Sequence, residues 1–256
     1  EKLDREISFS STLRDRVGHH VHGEKWAASI KRALHENGLN NRPLHVISAN
    51  LHSVMNLLYA EAAVGKTSTK RKEIDLFPML SRAENGDMRK KVRQYALKHG
   101  MVELDDTSGT NISVQLFDLA KVKQAPSHLE WNLPEDPAQI PVIFVMDYAF
   151  GEQAYETMDE LLRRHETDGH DHDMPVQSIN IMGKAGILEG GKGDIMVPNA
   201  HVFEGTADNY PFENDLRATD FDNEYGLQVF EGLMITVLGT SLQNKDILRY
   251  FKQSSW

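Results

Sequence analysis

The sequence contains no cysteine among its 256 residues. Disulfide bonds and thiol nucleophiles are therefore excluded, and the absence agrees with a reducing compartment. No run approaches the roughly 18 to 20 uncharged apolar residues that a membrane-spanning helix needs. The first residues, Glu1 to Glu6, show no signal-peptide pattern. We therefore expect a cytoplasmic protein that does not associate with a membrane.

Basic residues are also scarce. The chain carries 28 Lys and Arg against 38 Asp and Glu, a formal net charge of -10. This balance argues against a broad surface for nucleic acid or for acidic lipids, although a small basic pocket for one phosphorylated metabolite remains allowed. We expect a small-molecule ligand and no nucleic acid polymer. The hydrophobic content of 40% is ordinary for a globular chain that buries a sizeable core.

The most informative stretch is a short apolar strand at 178–182 that runs into a glycine-rich turn. Gly183 and Gly186 tolerate backbone angles that other residues resist, so the intervening amides can turn toward an anion. Lys184 adds positive charge beside those amides. The pattern favours a phosphate or carboxylate cradle, with an ordinary tight turn as the alternative.

A second apolar run, 140–147, also ends in a glycine turn, and a helical pattern starts at Gly151. Strand, loop, helix, strand and loop in this order predict a parallel sheet, in which ligands sit at the carboxyl ends of the strands. We expect the two glycine loops to lie side by side at one edge.

The preceding half of the chain predicts a similar unit. Residues 1–23 read as irregular, and their three histidines favour a solvated or subunit-contacting loop over a metal site, so we assign no metal. A covering helix is predicted at 24–36, and a buried strand at 43–50 is followed by a helix with an apolar stripe.

Between these units the periodicity predicts a helix at 87–99, a half-buried strand at 112–116 and a surface loop at 121–141. The polar stretch 166–173 interleaves His and Asp, which favours a flexible acidic loop over a cation site. On the helix after Gly151, one face is predicted to be apolar: Ala154, Tyr155, Met158, Leu161, Leu162 and His165.

The last third contains a predicted strand at 194–203 and a loop at 201–212. In this loop Phe203 and Tyr210 could stack on a flat ring and Glu204 could hydrogen-bond it, with an ordinary packed loop as the alternative. A strand at 232–238 then leads to a helix that begins at Thr240 or Ser241.

From Val142 onward the order of these parts resembles the nucleoside phosphorylase and nucleosidase superfamily, and within it the AMP nucleosidases. The resemblance rests on the glycine turn and helix at 151–162, the strand and small-residue turn at 179–186, the pair Gly193-Asp194, and the strand and Ser/Thr-rich turn at 234–241.

This resemblance implies an α/β fold, a three-layer sandwich with a central mixed β-sheet, assembled into a homo-oligomer. It implies cleavage of the N-glycosidic bond of a purine nucleotide or nucleoside, with no cofactor. Glu204 is our candidate catalytic carboxylate. The candidate substrate-binding residues are Ser48, Asn50, Gly183, Lys184, Ala185, Gly186, Phe203, Tyr210, Thr240 and Ser241.

The chain departs from the family pattern in two ways. Phosphorylases have an arginine just before the glycine turn, and here those positions are Asn180, Ile181 and Met182. The absence of this arginine favours hydrolysis or a phosphate held by Lys184. The family's Met-Glu strand and late aspartate are expected beyond Trp256, so either the chain is truncated at its C-terminus or these groups have been lost or relocated. We predict one domain over 1–256, with a helical extension at 1–42. The alternatives are a non-catalytic nucleotide sensor and a phosphate-dependent phosphorylase.

Overall fold

A computed structural model describes the chain over most of its length. The described ranges are 19–65, 76–122, 131–149, 151–167, 170–183, 185–186, 189–203, 208–221 and 226–236. By its contacts the chain divides into two compact units, Glu1–Gly183 and Lys184–Trp256. The expectation of a single domain stays a prediction.

The first unit alternates helices and strands. In chain order its elements are α1 (His19–Glu36), β1 (Leu44–Ser48), α2 (Leu51–Val64), α3 (Leu76–Ser81), α4 (Gly86–Lys98), β2 (Met101–Leu104), β3 (Val114–Asp118), α5 (Leu119–Val122), β4 (Val142–Met146), α6 (Gly151–Leu162), β5 (His165–Thr167), β6 (His170–His172) and β7 (Val176–Ile181). Short 3-10 turns lie at Ala83–Asn85 and Pro137–Gln139.

Five of these strands form one mixed sheet in the order β2-β3-β4-β1-β7. β1 is parallel to both β4 and β7, whereas β3 is antiparallel to β4 and to β2. Hence β1, β4 and β7 all end at the same edge of the sheet, and β3 begins there. The predicted α/β class and mixed sheet are confirmed, and within that sheet β4, β1 and β7 are parallel to one another. However, β1 separates β4 from β7, so the two glycine loops are not direct neighbours.

Each face of this sheet carries its own hydrophobic core. On one face α1 and α6 pack through Trp26, Ile30 and Leu161 against strand residues such as Phe144. On the other face α2 and α4 cover Phe117 and Val145. Alternate side chains of a strand point to opposite faces, so a strand covered on both sides must be apolar at nearly every position.

β3 shows this rule and corrects one expectation. The alternation at 112–116 predicts a half-buried strand, yet every residue of Val114–Asp118 is buried. β3 lies between β2 and β4, with a helical layer on each side, so its polar residues Gln115 and Asp118 are buried too.

Helix α1 begins at His19, so the expectation of irregular structure is wrong for 19–23. Its predicted apolar face is confirmed, because Trp26, Ile30, Ala33 and Leu34 are all buried. Trp26 also donates from Nε1 to the carbonyl of Ile112 at 2.8 Å, which ties α1 to the segment before β3.

The buried face of α6 differs from the predicted one. Leu161 is buried, but Tyr155 is 74% exposed and Leu162 is 42% exposed, while Thr157 and Glu160 are buried in their place. Lys31 and Gly23 of α1 lie against this polar stripe, which explains how it is accommodated. The predicted acidic loop is also corrected, since β5 and β6 pair as antiparallel strands.

The second unit contains a three-stranded sheet. Its strands are β8 (Ile195–Phe203), β9 (Asp208–Pro211) and β10 (Val229–Thr236), in the order β10-β8-β9. β8 is parallel to β10 and antiparallel to β9. The expected loop at 201–212 is thus in large part a pair of strands, and the predicted helix after Thr240 lies outside the described residues.

Over the part of the chain that the structure describes, no helix is long and apolar enough to cross a membrane.

Candidate functional site

The best candidate site in the first unit is the edge where β1, β4 and β7 end. β1 ends at Ser48, β4 at Met146 and β7 at Ile181, and these three residues are in register. Backbone pairing continues one step further, because the amide of Ala49 donates to Met146 at 3.0 Å and that of Met182 donates to Ser48 at 2.9 Å. The loops that follow β1, β4 and β7 therefore start side by side, at strand ends that are held in register by backbone hydrogen bonds.

The loops after β1 and β4 run to opposite faces of the sheet. α2 follows β1 and packs with α4, whereas α6 follows β4 and packs with α1. When neighbouring parallel strands send their helices to opposite faces, a crevice opens between their carboxyl ends, and α/β proteins bind ligands there. Here that position lies between Ser48 of β1 and Met146 of β4.

Polar residues surround this position. Ser48 is half-buried at the end of β1, and Asn50 begins α2 by accepting the amide of His52 on its side chain at 2.9 Å. Asp147 directly follows β4 and accepts the amide of Tyr148 on Oδ1 at 2.8 Å. The amide of Asp147 itself donates to the carbonyl of Ser113. Sequence reasoning missed Asp147, although an acidic residue directly after a buried strand is a recognisable signal.

The segment 105–113 reaches the same edge, because β3 begins there. Asp106 organises this loop: its carboxylate accepts hydrogen bonds from Ser108 Oγ at 2.6 Å and from the amides of Ser108, Gly109 and Asn111 at 2.9, 3.1 and 2.7 Å. Burial works to raise the pKa of Asp106, but these hydrogen bonds outweigh it and hold the pKa below its usual range.

Two helices anchor this loop. His22 of α1 is hydrogen-bonded through Nδ1 to the carbonyl of Ser108 at 2.7 Å, so Nδ1 carries the proton. Gln153 of α6 donates to the carbonyl of Thr110 at 2.6 Å. Within the loop Asn111 is exposed and adopts φ +59. Hydrogen bonds to α1 and α6 therefore hold this loop beside the edge of the sheet. No sequence motif predicted this position of the loop.

The predicted anion cradle begins at this edge. Gly183 follows β7 and is exposed, and among the described residues no atom beyond its chain neighbours lies within 4 Å of the place where its Cβ would stand; the same holds for Gly186. Ala185 is exposed as well, and Lys184 lies outside the described residues. The side chain of Asn180 turns back into the sheet, donating to Ser178 Oγ at 3.0 Å.

Asp194, of the predicted Gly-Asp pair, has a structural role. Its carboxylate accepts the amide of Gly191 at 2.6 Å and that of Gln228 at 3.0 Å, which joins the turn before β8 to the start of β10. Hydrogen bonds from Gln228 and then Gly191 lower the pKa of Asp194. Its two oxygens are therefore engaged by backbone amides of its own unit.

The remaining predicted site residues fall in the second unit. Phe203 ends β8 and Tyr210 lies in β9, and the register of the two strands places them on one face of their sheet. Glu204, Thr240 and Ser241 lie outside the described residues. Among the residues that the structure describes, no group of three or more His, Asp or Glu side chains could hold a metal ion.

Comparison with known proteins gives a family but no activity. Residues 78–256 match the model of a family of unknown function, DUF6909. No curated protein and no solved structure matches the chain. The matched region begins within α3 and includes β2, β3, β4, β7 and the whole second unit. Because it covers more than two thirds of the sequence, the chain belongs to the DUF6909 family.

Proposed function

We propose that this protein hydrolyses the N-glycosidic bond of a purine nucleotide or nucleoside, releasing the base and ribose or ribose phosphate. The observation that carries the proposal is the crevice position where β1 and β4 end and their helices diverge to opposite faces. Two further features support it: an open glycine turn after β7 and a carboxylate directly after β4.

The glycine turn suits a phosphate or a ribose hydroxyl. No described residue fills the place where a side chain would stand at Gly183 or Gly186, which favours close approach of a ligand to the backbone there. In this proposal Lys184 supplies the positive charge, and Ser48 and Asn50 line the neighbouring strand end. A nucleoside without phosphate would use the same turn with less electrostatic gain.

Asp147 is positioned to act as the general base. Hydrolysis requires a water molecule to attack the anomeric carbon as the bond to the base breaks, and a carboxylate that accepts a proton from this water assists the attack. Tyr148 donates its amide to Oδ1 of Asp147, which fixes the carboxylate at the edge of the sheet. The departing base takes up a proton as the bond to ribose breaks, and Glu204 stays our sequence-based candidate for the group that contacts the base and supplies this proton.

Substitution of Asp147 tests the chemistry. We expect Asp147→Asn to lower kcat for adenine release from AMP or adenosine by about 100- to 10,000-fold, the usual contribution of a general base. Asp105→Asn, at an exposed aspartate of the neighbouring loop, is the matched control and should retain activity. Adenine is measured by chromatography. Equal rates for Asp147→Asn and the unchanged protein would refute the role of Asp147.

Substitution of Lys184 tests the phosphate. Lys184→Ala should weaken the binding of AMP and ribose 5-phosphate by about 1.5 to 3 kcal/mol, the range for hydrogen bonds to charged groups. The binding of adenine should change little. Equal losses for all three ligands, measured by calorimetry, would contradict a phosphate role.

Two other outcomes would select the alternatives. A strict requirement for inorganic phosphate would identify a phosphorylase. Nucleotide binding without any base release, even after prolonged incubation, would identify a sensor that kept the pocket without the chemistry.

A further inference from the structure

The two faces of the sheet in the second unit differ in chemistry. β8 lies between β10 and β9, and residues paired across strands point to the same face. One face carries aliphatic side chains, including the pairs Ala200 with Leu233 and Val202 with Ile235. The opposite face carries His201, Phe203, Asp208, Tyr210, Met234 and Thr236. We call this second set the aromatic face.

Three ring-bearing side chains are neighbours on the aromatic face. His201 of β8 is directly opposite Tyr210 of β9, a spacing of about 4.5 to 5.5 Å between Cβ atoms in antiparallel pairs. Phe203 is two residues further along β8, about 6.8 Å away. The Tyr210 side chain is 57% exposed, while His201 and Phe203 are half-buried. The Tyr210 ring is therefore open to solvent, and the rings of His201 and Phe203 are partly accessible beside it.

A hydrogen bond fixes the imidazole on this surface. Nε2 of His201 is bonded to Oγ1 of Thr236 on β10, so the ring is held in place from the strand on the other side. Because the contact joins β10 to β8 and His201 also lies opposite Tyr210, all three strands contribute to one fixed set of polar and aromatic groups.

Exposed aromatic residues on a sheet are well suited to flat ligands. Nucleobases stack on Tyr, Phe and His side chains that project from sheets, because each ring offers a π face at little cost in side-chain entropy. A polynucleotide also needs Lys and Arg for its phosphates. The segment 184–256 carries eleven Asp and Glu but six Lys and Arg, so it favours a single ring over a phosphate chain.

We propose that the aromatic face binds one flat heteroaromatic ring, the purine of a nucleoside or free base, with Tyr210 and Phe203 as stacking partners and His201 as a polar contact held by Thr236. Naming the ring as a purine rests on the proposed function, whereas the binding of a ring by this face does not require hydrolysis. His201 and Thr236 were not predicted as site residues from the sequence.

Titration of the full chain with adenosine and adenine, followed by ligand-observed NMR, tests the proposal. We expect Tyr210→Ala to raise the Kd for both ligands by at least about fivefold, the lower limit for loss of one stacking partner. Tyr210→Phe keeps the ring and should restore binding. Tyr155→Ala is the matched control, since Tyr155 is 74% exposed on α6 of the other unit.

The outcomes separate this proposal from hydrolysis. Adenosine binding that depends on Tyr210 without adenine release would support the aromatic face and refute the proposed activity. An unchanged Kd in Tyr210→Ala, or no binding of adenosine or adenine to the unchanged protein, would overturn the aromatic face. So would an oligoadenylate that binds far more tightly than adenosine with a steep salt dependence, because that pattern identifies a polynucleotide surface.

Discussion

At the scale of single residues, the loop between β2 and β3 is defined by a few side chains. Asp106 accepts hydrogen bonds from the amides of Ser108, Gly109 and Asn111, and the His22 ring holds the carbonyl of Ser108. These contacts replace the regular pairing that a loop lacks. The position of the loop at the edge of the sheet therefore depends on individual groups rather than on a periodic pattern.

Asp106→Ala should lower the free energy of unfolding by about 1 to 3 kcal/mol at pH 7, because several hydrogen bonds to a carboxylate are lost. The pKa of Asp106 is below its usual range in the folded state, so its contribution is present above about pH 4, the value of an unperturbed Asp, and is lost as the pH falls through the folded pKa. The difference between the two proteins in urea unfolding should shrink below that pH. Asp105→Ala is the control, and equal effects of both substitutions would contradict the role of Asp106.

A pair of glycines separates steric contact from backbone strain. Both Gly109 and Gly38 have positive φ, +97 and +66, but an added Cβ at Gly109 would lie 2.8 Å from Nδ1 of His22, whereas at Gly38 it meets no atom within 4 Å. Gly38→Ala should lower the free energy of unfolding by about 1 to 2 kcal/mol, because alanine is strained at positive φ. Gly109→Ala should lower the free energy of unfolding by about 1 kcal/mol more, because the new methyl group would also collide with the His22 ring. Chemical denaturation measures both, and equal costs would show that His22 moves aside.

At the scale of elements, α1 and α6 form one layer through polar as well as apolar contacts. Lys31 of α1 donates from Nζ to the carbonyls of Glu160 and Arg163 at 3.0 and 2.7 Å, at the end of α6. A cation at this position satisfies carbonyls that have no partner within the helix and interacts favourably with the helix dipole. Burial lowers the pKa of Lys31, the neighbouring Glu160 opposes this, and the net shift is downward.

Lys31→Met should destabilise the protein by about 1 to 2 kcal/mol, because two carbonyls at the end of α6 lose their hydrogen-bond donor, a loss larger than the cost of burying the charge. Lys25→Met changes an exposed lysine of the same helix and should be nearly neutral. Thermal unfolding of the two variants measures the difference. A Lys31→Met protein as stable as Lys25→Met would show that the contact at the end of α6 contributes nothing.

At the scale of the whole molecule, the two units differ in how much apolar core they contain. Nearly all buried apolar side chains of the described residues lie in the first unit, and those of the second are Val197 and Ala200. Leu233 and Ile235 of β10 are 56% and 42% exposed. Burial of apolar area is the main favourable term in folding, so local stability should differ between the units.

Hydrogen exchange should show this difference directly. We expect amides of β1, β3 and β4 to exchange far more slowly than amides of β8 and β10, because strands with little buried apolar surface open more readily. Mass spectrometry of peptides from each strand measures the rates. Equal protection in both sheets would mean that the aliphatic face of the second sheet is covered in solution, for instance in the homo-oligomer that stays a prediction from the sequence.

The sequence by itself determined the longer helices and strands of the first unit, because their periodicity and ends are local properties. The apolar stripe of α1, the runs of β1, β4 and β7, and the glycines near element ends are all readable from neighbouring residues. The order of strand, loop and helix also predicted the parallel pairing that β1, β4 and β7 show.

Tertiary structure alone decided which strands are neighbours, since pairing joins residues that are far apart in the chain. The order β4-β1-β7 sets the crevice position and brings Asp147 near Ser48. The packing of α6 against α1 leaves Thr157 buried and Tyr155 exposed. The register of β8 with β9 and β10 likewise places His201, Tyr210 and Thr236 on one face. Strand order, register and the buried face of a helix depend on contacts between residues that are far apart in the chain. No local sequence pattern specifies these contacts.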